Sequence, residues 1–490
     1  MPDAVRPVNP PPNRRLFKPL MAEEGADAQA VGAAPPRDNN KLRPQDMAAH
    51  RWYRFVLSYP PHLVQQYLNK FGADENSHVL DPFCGTGTTL VECKKQGIPS
   101  CGIEGNPVAA FASRTKLQWG ISPDRLLNNS EAAAAAAQEM LRASGDDGHG
   151  AANSLFSRTP VSGRQLLTLP PESAALLLKG SISPLPLHKT LLLKVLGERP
   201  GHDVRDHQKL ALVRAVVEEI GNLHFGPEVG VGPPKDDAPV LAAWLCGVKE
   251  IAADLGELAV RRHVPSHVAP GDARAASTAV AGRKFDIVIT SPPYPNEKDY
   301  TRTTRLESVL LGFLTNKADL RALKENLVRS NTRAAFKADR DDLLITDCQE
   351  VQEIARQIEQ RRLDLGKTSG FERMYARVTR LYFGGMKKHL ADLRLVLRPG
   401  AQLAYVVGDQ ASFFRVMIRT GELLAMLAAS LGYEVVGIDL FRTRISTATR
   451  EQLREEVVLL RWPGSTGGEL LIAPPPQRRP LRRAQLLQND

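Results

Sequence analysis

Four consecutive residues, Ser291-Pro292-Pro293-Tyr294, carry the most specific chemistry in this chain. Two adjacent prolines donate no backbone hydrogen bond and hold their segment extended, with carbonyls free to accept. An acceptor pair of this kind, the Ser291 hydroxyl and the Pro292 carbonyl, suits the two protons of a planar amino group. The nitrogen of an exocyclic base amine is a poor nucleophile because its lone pair is delocalised into the ring. Acceptors aimed at both protons favour the pyramidal form, whose lone pair can attack a sulfonium methyl in line. Tyr294 adds an aromatic face on which an extruded base can stack. No covalent intermediate on the enzyme is needed. Methylation at carbon 5 of cytosine does need a thiolate, usually in a Pro-Cys pair, and the chain holds no Pro-Cys dipeptide.

A second constellation lies upstream, in Asp81-Pro82-Phe83-Cys84-Gly85-Thr86-Gly87. Its glycines let backbone approach a ligand closely, and the helix start that follows offers free amides. Two glycines alone describe any tight strand-to-helix turn, but three acids at strand ends accompany them. Glu104 can accept from both hydroxyls of a ribose, Asp272 from an adenine amine, and Asp81, directly or through water, from the ammonium of a methionine moiety. Singly, each acid is as readily a helix cap or a turn residue. The third glycine of a dinucleotide fingerprint is replaced by Leu90, and no Gly-Lys-Ser or Gly-Lys-Thr follows the strand. Both a nicotinamide site and a P-loop are therefore disfavoured.

The elements that must position these residues follow from the apolar pattern. Residues 50–71 have helical spacing, His78–Asp81 read as a buried strand, Thr88–Gln96 as a helix, and Ser100–Ile103 as a strand ending on Glu104. Further strands are expected at Val268–Pro270, Phe285–Thr290, Gln402–Val407, Tyr433–Leu440 and Glu456–Arg461, the last two as an antiparallel edge pair. Seven strands with intervening helices predict a Rossmann-like, doubly wound α/β sheet with a mainly helical insertion. The segmentation expected is an arm at 1–45, a first catalytic part at 46–114, the helical insertion at 115–262 with a Gly-rich middle, a second catalytic part at 263–462, and a basic tail at 463–490. Residues 301–390 also read as helical. Loops of that length are functional or form a subdomain, so the insertion is a candidate target-recognition region. Its Lys209, Arg214, Arg261 and Arg262 are candidates to grip a nucleic acid, or simply members of a solvated helix face.

The 490 residues, 42% hydrophobic and 24% charged, suit a large globular core. No apolar run is long enough to span a bilayer and no export signal opens the chain, so no membrane association and a cytoplasmic location are expected. A formal charge of +10 suits a polyanionic partner. Cys84, Cys93, Cys101, Cys246 and Cys348 are odd in number and form no CxxC pair, which predicts reduced thiols and no metal site.

The Asp81–Thr89 segment, Gly102-Ile103-Glu104-Gly105-Asn106-Pro107, Gly271-Asp272-Ala273-Arg274 and Ser291–Tyr294 resemble, in that order, motifs of the DNA amino-methyltransferases that act on cytosine N4 or adenine N6. Leu397–Asp409 and Glu455–Leu460 resemble the family's later strands, while the long insertion has no counterpart in the resemblance. The likeness implies S-adenosyl-L-methionine as cofactor, held by Asp81, Phe83, Gly85, Gly87, Glu104 and Asp272, and catalysis by Ser291, Pro292, Pro293 and Tyr294. It implies DNA as partner, double-stranded with base flipping, a restriction-modification setting with a restriction endonuclease as possible companion, and cytosine N4 as acceptor. Adenine N6 of DNA, guanine N2 of RNA and a catalytically inactive nucleic-acid-binding protein are the alternatives. A protein glutamine acceptor is disfavoured by Ser in place of Asn before the two prolines.

Overall fold

The computed structural model describes residues 42–55, 58–143, 166–197, 203–226, 228–296, 298–445 and 452–464. Most of the expected arm, most of the basic tail and the Gly-rich middle of the insertion lie outside them. In chain order the sheet strands are β1 (Val79–Asp81), β2 (Ser100–Glu104), β3 (Ser266–Pro270), β4 (Phe285–Thr290), β5 (Leu397–Gly408), β6 (Glu434–Ile445) and β7 (Gln452–Arg461). They lie side by side as β3-β2-β1-β4-β5-β7-β6. The first five are parallel, and β7 runs antiparallel to both β5 and β6. This is the doubly wound sheet with an antiparallel edge pair expected from the sequence.

Alternation along the strands divides the core in two. Leu80, Val288, Leu403 and Tyr405 face the long helix Tyr375–Leu393. Val79, Ile287, Ile289, Ala404 and Val406 face the helix Pro61–Lys70. That period of two is what a sheet covered on both faces requires. Gly384 lets the long helix lie against the turn at Asp341–Ile345, since a Cβ there would sit 1.8 Å from the Asp341 carbonyl oxygen. The helices Pro123–Ala143, Arg205–Ala215 and Val240–Leu258 share one apolar core with the helix Pro107–Lys116 that follows β2.

Several expected boundaries move, each for a local reason. β5 begins five residues early, because Pro399 and Gly400, which read as breakers, are absorbed in an irregularity between Phe285 and Ile287 of the partner strand, with Gly400 at φ 85°. The insertion also contains a small antiparallel ribbon, Leu223–Phe225 with Val229–Val231. Residues 50–71 do not form one helix. Pro61 opens the helix and holds Pro60, the residue before it, extended, so the helical spacing upstream is not realised. Instead residues 50–55 and 58–60 form a strap with a short helical turn at His50–Trp52. Asp254, on the insertion helix, fixes that strap by accepting from Ala49 N at 3.1 Å, Trp52 Nε1 at 2.8 Å and the Arg51 guanidinium.

Candidate active site

The sheet reverses its winding between β1 and β4, and a cavity opens there at the C-terminal ends of the strands, where open α/β sheets place ligand sites. Phe83, Gly85, Glu104, Asp272 and the whole Ser291–Tyr294 segment line this one cavity. Asp81 and Gly87 do not, and their positions explain why.

Asp81 ends β1 fully buried beneath the cavity floor. One carboxylate oxygen accepts from Thr290 Oγ1 at 2.6 Å and Phe83 N at 3.1 Å, and the other from the Tyr59 hydroxyl at 2.9 Å. The acid thus ties the Gly-rich turn, the end of β4 and the strap together across the point where the sheet reverses, rather than standing in the cavity wall as an acceptor. Burial raises its pKa. Gly87 has φ 85°, and a Cβ on it would lie 2.4 Å from Ser113 Oγ. This glycine serves the close seating of the turn on the helix Pro107–Lys116. Gly85, at φ 52°, has open space where a Cβ would be and faces the cavity. The two glycines, identical in sequence, therefore answer different demands.

Glu104 closes β2. Its Oε2 accepts from Gly85 N at 2.8 Å and its Oε1 from Asn106 N at 2.7 Å, so the carboxylate also sets the Gly-rich turn. Burial pushes its pKa up to about 7. Asn106 caps the next helix by accepting from Val108 N at 3.1 Å, and Pro107 supplies its first turn. Asp272 closes β3 and is gripped by Arg274, whose Nε and Nη2 reach both carboxylate oxygens at 2.7 to 3.0 Å. The same guanidinium donates to Asp341 at 2.6 Å and to the Glu325 carbonyl at 2.9 Å. Arg274 thereby fastens the segment 325–341 over this half of the cavity, where Asn326, Leu327 and Asn331 form part of the wall. Arg274 and that wall were not legible as site elements in the sequence, because nothing in a helical-looking stretch announces which loop will fold back over a strand end.

At the other half, the Ser291 hydroxyl donates to the Val406 carbonyl of β5 at 3.0 Å. Its proton is thereby taken up and its lone pairs remain for an incoming donor. The Tyr294 ring packs beside Gly408, where a Cβ would lie 3.1 Å from Tyr294 Cε2 and 3.4 Å from Glu455 Cγ. Burial raises the Tyr294 phenol, which stays neutral. Phe83 stands edge-on to His389 with ring centroids 4.9 Å apart. Burial lowers the His389 pKa to about 4, and its two ring nitrogens face the Ala273 carbonyl and the Tyr405 hydroxyl, both at 2.7 Å. The strap contributes Tyr53, Phe55 and Tyr59, and the β6–β7 pair contributes Phe441, Arg442 and Glu455. Neither group was singled out in the sequence.

The cations proposed for the insertion do not surround this cavity. Arg214 is paired with Glu218 and Glu250. Arg261 lies against Gly97, just ahead of β2, and Arg262 follows it ahead of β3. That is the N-terminal edge of the sheet, opposite the cavity. Among the described residues no group of His, Cys, Asp and Glu could hold a metal ion, and no helix is long and apolar enough to cross a membrane.

The chain's similarities to known proteins fall on these features. The profile of a family described as DNA methylase matches residues 35–111, which hold the strap, the Gly-rich turn and Glu104. The Type II methyltransferase M.BsoBI of Geobacillus stearothermophilus is 24% identical over 455 residues, covering 85% of each chain. The Type II methyltransferase M.AvaI of Nostoc sp. strain PCC 7120 is 23% identical over 453 residues, 86% of this chain and 88% of that one. A shorter stretch of 69 residues is 40% identical to the Type II methyltransferase M.MjaII of Methanocaldococcus jannaschii, covering 14% of this chain and 13% of that one.

Proposed function

We propose that the chain is a DNA amino-methyltransferase, which its match to the DNA methylase family and its similarity to Type II methyltransferases support, and that it methylates N4 of cytosine in duplex DNA with S-adenosyl-L-methionine as donor. The observation that carries the reading is the meeting, in one cavity at the reversal of the sheet, of Glu104 and the Gly85 turn on one side with Ser291–Tyr294 on the other.

The residues present fit the donor. Gly85 leaves room for a ligand against its backbone, and Glu104 offers a carboxylate in the cavity wall with lone pairs for two ribose hydroxyls. Asp272, held rigid by Arg274, faces the cavity as acceptor for the adenine amine, while Phe83 offers an apolar side. When bound, the donor supplies an electrophilic methyl on a sulfonium. Asp81 keeps the turn in register with β4 and so acts as a positioning residue.

The acceptor half prepares the nucleophile. Ser291, whose hydroxyl donates to the Val406 carbonyl, accepts a hydrogen bond from one N–H of the base amine, and the Pro292 carbonyl accepts one from the other; once the methyl has passed from sulfur to nitrogen, the methylated nitrogen gives up one of these protons to water. Both contacts favour a pyramidal nitrogen, and neither requires a charged base in the site. Tyr294 stacks on the face of the flipped cytosine and fixes the line of attack. The resemblance of Ser291–Tyr294 to the family's catalytic segment is what favours cytosine N4 over adenine N6 in this reading. The overall charge of +10 supports a duplex partner held by its phosphates.

Incubation of purified protein with unmodified DNA and with RNA, each with methyl-labelled donor, followed by nucleoside mass spectrometry, tests the reading. Labelled N4-methylcytosine from DNA is the expected product. Labelled N6-methyladenine would move the acceptor to adenine, and label in RNA alone would overturn the DNA substrate.

A further inference from the structure

The Arg442–Glu455 pair stands at the acceptor end of the cavity, and nothing in the methyl-transfer chemistry described above uses it. Arg442 lies near the C-terminal end of β6 and Glu455 opposite it on β7; both line the cavity together with Tyr294 and Ser291. Arg442 Nε donates to Glu455 Oε2 at 2.5 Å. Glu455 in turn lies against Gly408, on the same side as the Tyr294 ring edge. One carboxylate therefore fixes the guanidinium next to the ring on which the base would stack. Among the described residues no hydrogen bond engages the Nη1 or Nη2 group of Arg442, and its side chain is 26% exposed, so two donors remain at the cavity.

We propose that Arg442 is the residue that reads the target base as cytosine. The inference rests on the cytosine reading and says how the site makes that choice. Once N4 is held by Ser291 and the Pro292 carbonyl, the remaining Watson–Crick edge of cytosine presents two adjacent acceptors, N3 and O2. A planar fork with two N–H donors matches that pair. Adenine held by its N6 offers a single acceptor, N1, next to a carbon-bound hydrogen, so one desolvated donor of the fork would be left unpaired. Sites built to satisfy hydrogen bonds reject analogues that leave their donors unpaired. Glu455 is a positioning residue in this scheme: it holds the guanidinium by Nε, which leaves the Nη groups to the base. Uracil and thymine carry no amine for Ser291 to accept from, so cytosine is separated from adenine and from these two by two contacts, one for the amine and one for the edge beside it.

The test compares wild type, Arg442→Met and Arg442→Lys on a duplex oligonucleotide whose target site has been mapped from DNA methylated by the wild-type protein. Two forms of the duplex are used, with cytosine or 3-deazacytosine at the target, the latter lacking the N3 acceptor. The wild type is expected to lose about tenfold or more in kcat/KM on the deaza substrate, and Arg442→Met to lose about 10- to 100-fold on cytosine while keeping S-adenosylmethionine affinity. The decisive result is coupling: Arg442→Met should show only the intrinsic difference in reactivity between the two substrates, and Arg442→Lys an intermediate penalty. An unchanged deaza penalty in Arg442→Met, with N4-methylcytosine still the wild-type product, overturns the inference and leaves the cytosine reading standing. The same holds if Arg442→Met weakens DNA binding in a salt-dependent way with no change in the deaza penalty, which would make Arg442 a phosphate contact. If the wild type makes N6-methyladenine, the cytosine reading falls and the inference with it. Unchanged cofactor affinity and thermal melting in both variants show that the fold is intact.

Discussion

Glu104 has two duties that pull its proton in opposite directions, and the conflict predicts a pH dependence of cofactor binding. In the free protein, burial pushes its pKa up to about 7 even though Gly85 N and Asn106 N donate to it at 2.8 and 2.7 Å. A folded pKa raised above the ordinary 4.5 means that this group favours the fold fully below pH 4.5 and loses that contribution as the pH rises through about 7. Two ribose hydroxyls donating to the carboxylate favour the anion instead, so S-adenosylmethionine should bind the deprotonated form and release a proton on binding near and below pH 7. With the pKa at about 7, roughly a tenth of the protein is competent at pH 6, and affinity there should be about tenfold below its plateau above pH 8. Glu104→Gln should cost about 1.5 to 3 kcal/mol of binding, or 10- to 150-fold, and leave the residual affinity flat with pH. Its effect on the free protein should be small. Above pH 7 the removal of a buried charge returns at most about 3 kcal/mol, and the amide NH₂, set against Gly85 N or Asn106 N, gives back about 1 to 3. Titration calorimetry from pH 5.5 to 8.5, in buffers of different ionisation enthalpy, reads both affinity and proton release. Wild-type affinity that stays constant over that range, with no proton released, would refute the assignment of Glu104 to the ribose.

Three further substitutions separate the parts of the site. Tyr294→Ala should keep cofactor affinity and lose most methylation, measured as label incorporated into DNA; a normal rate would make the ring a packing residue. Gly408→Ala sets a methyl 3.1 Å from the Tyr294 ring, so the ring must shift by a few tenths of an ångström. A fall of roughly tenfold in kcat with unchanged cofactor binding is expected, and unaltered turnover would show that the ring position is not critical. Gly384→Ala places a Cβ 1.8 Å from the carbonyl oxygen of Asp341, the residue whose carboxylate Arg274 holds. It should destabilise the fold by about 1 to 3 kcal/mol, and a melting temperature equal to wild type would show that the helix and the 341–345 turn can part freely.

What the sequence revealed and what it hid divide along one line, the range over which a residue's surroundings are set by its neighbours in the chain. The Gly-rich turn, Glu104 and the Ser291–Tyr294 segment each sit at the end of a short buried strand, so the pattern that marks the strand also places the residue at the carboxyl edge of the sheet. Asp81 sits at a strand end as well, yet its carboxylate turns inward to Thr290 and Tyr59, and no local pattern foretells partners that are 209 and 22 residues away. At the strap, Leu63, Val64, Tyr67 and Leu68 have helical spacing that extends backwards past a proline pair, but the prolines rather than the spacing decide where the helix begins. Arg261 and Arg262 looked suited to a nucleic acid by charge alone, but charge does not say at which end of a sheet it will lie. Arg274 and Arg442 show the converse. Each is one arginine among many, and each becomes informative only when the fold brings a carboxylate to hold it, Asp272 for Arg274 and Glu455 for Arg442. The segments at the strand ends are therefore readable from the chain, whereas the base-reading contact proposed for Arg442 belongs to the distant β6–β7 pair, where variation in specificity can arise without disturbing the Ser291–Tyr294 segment.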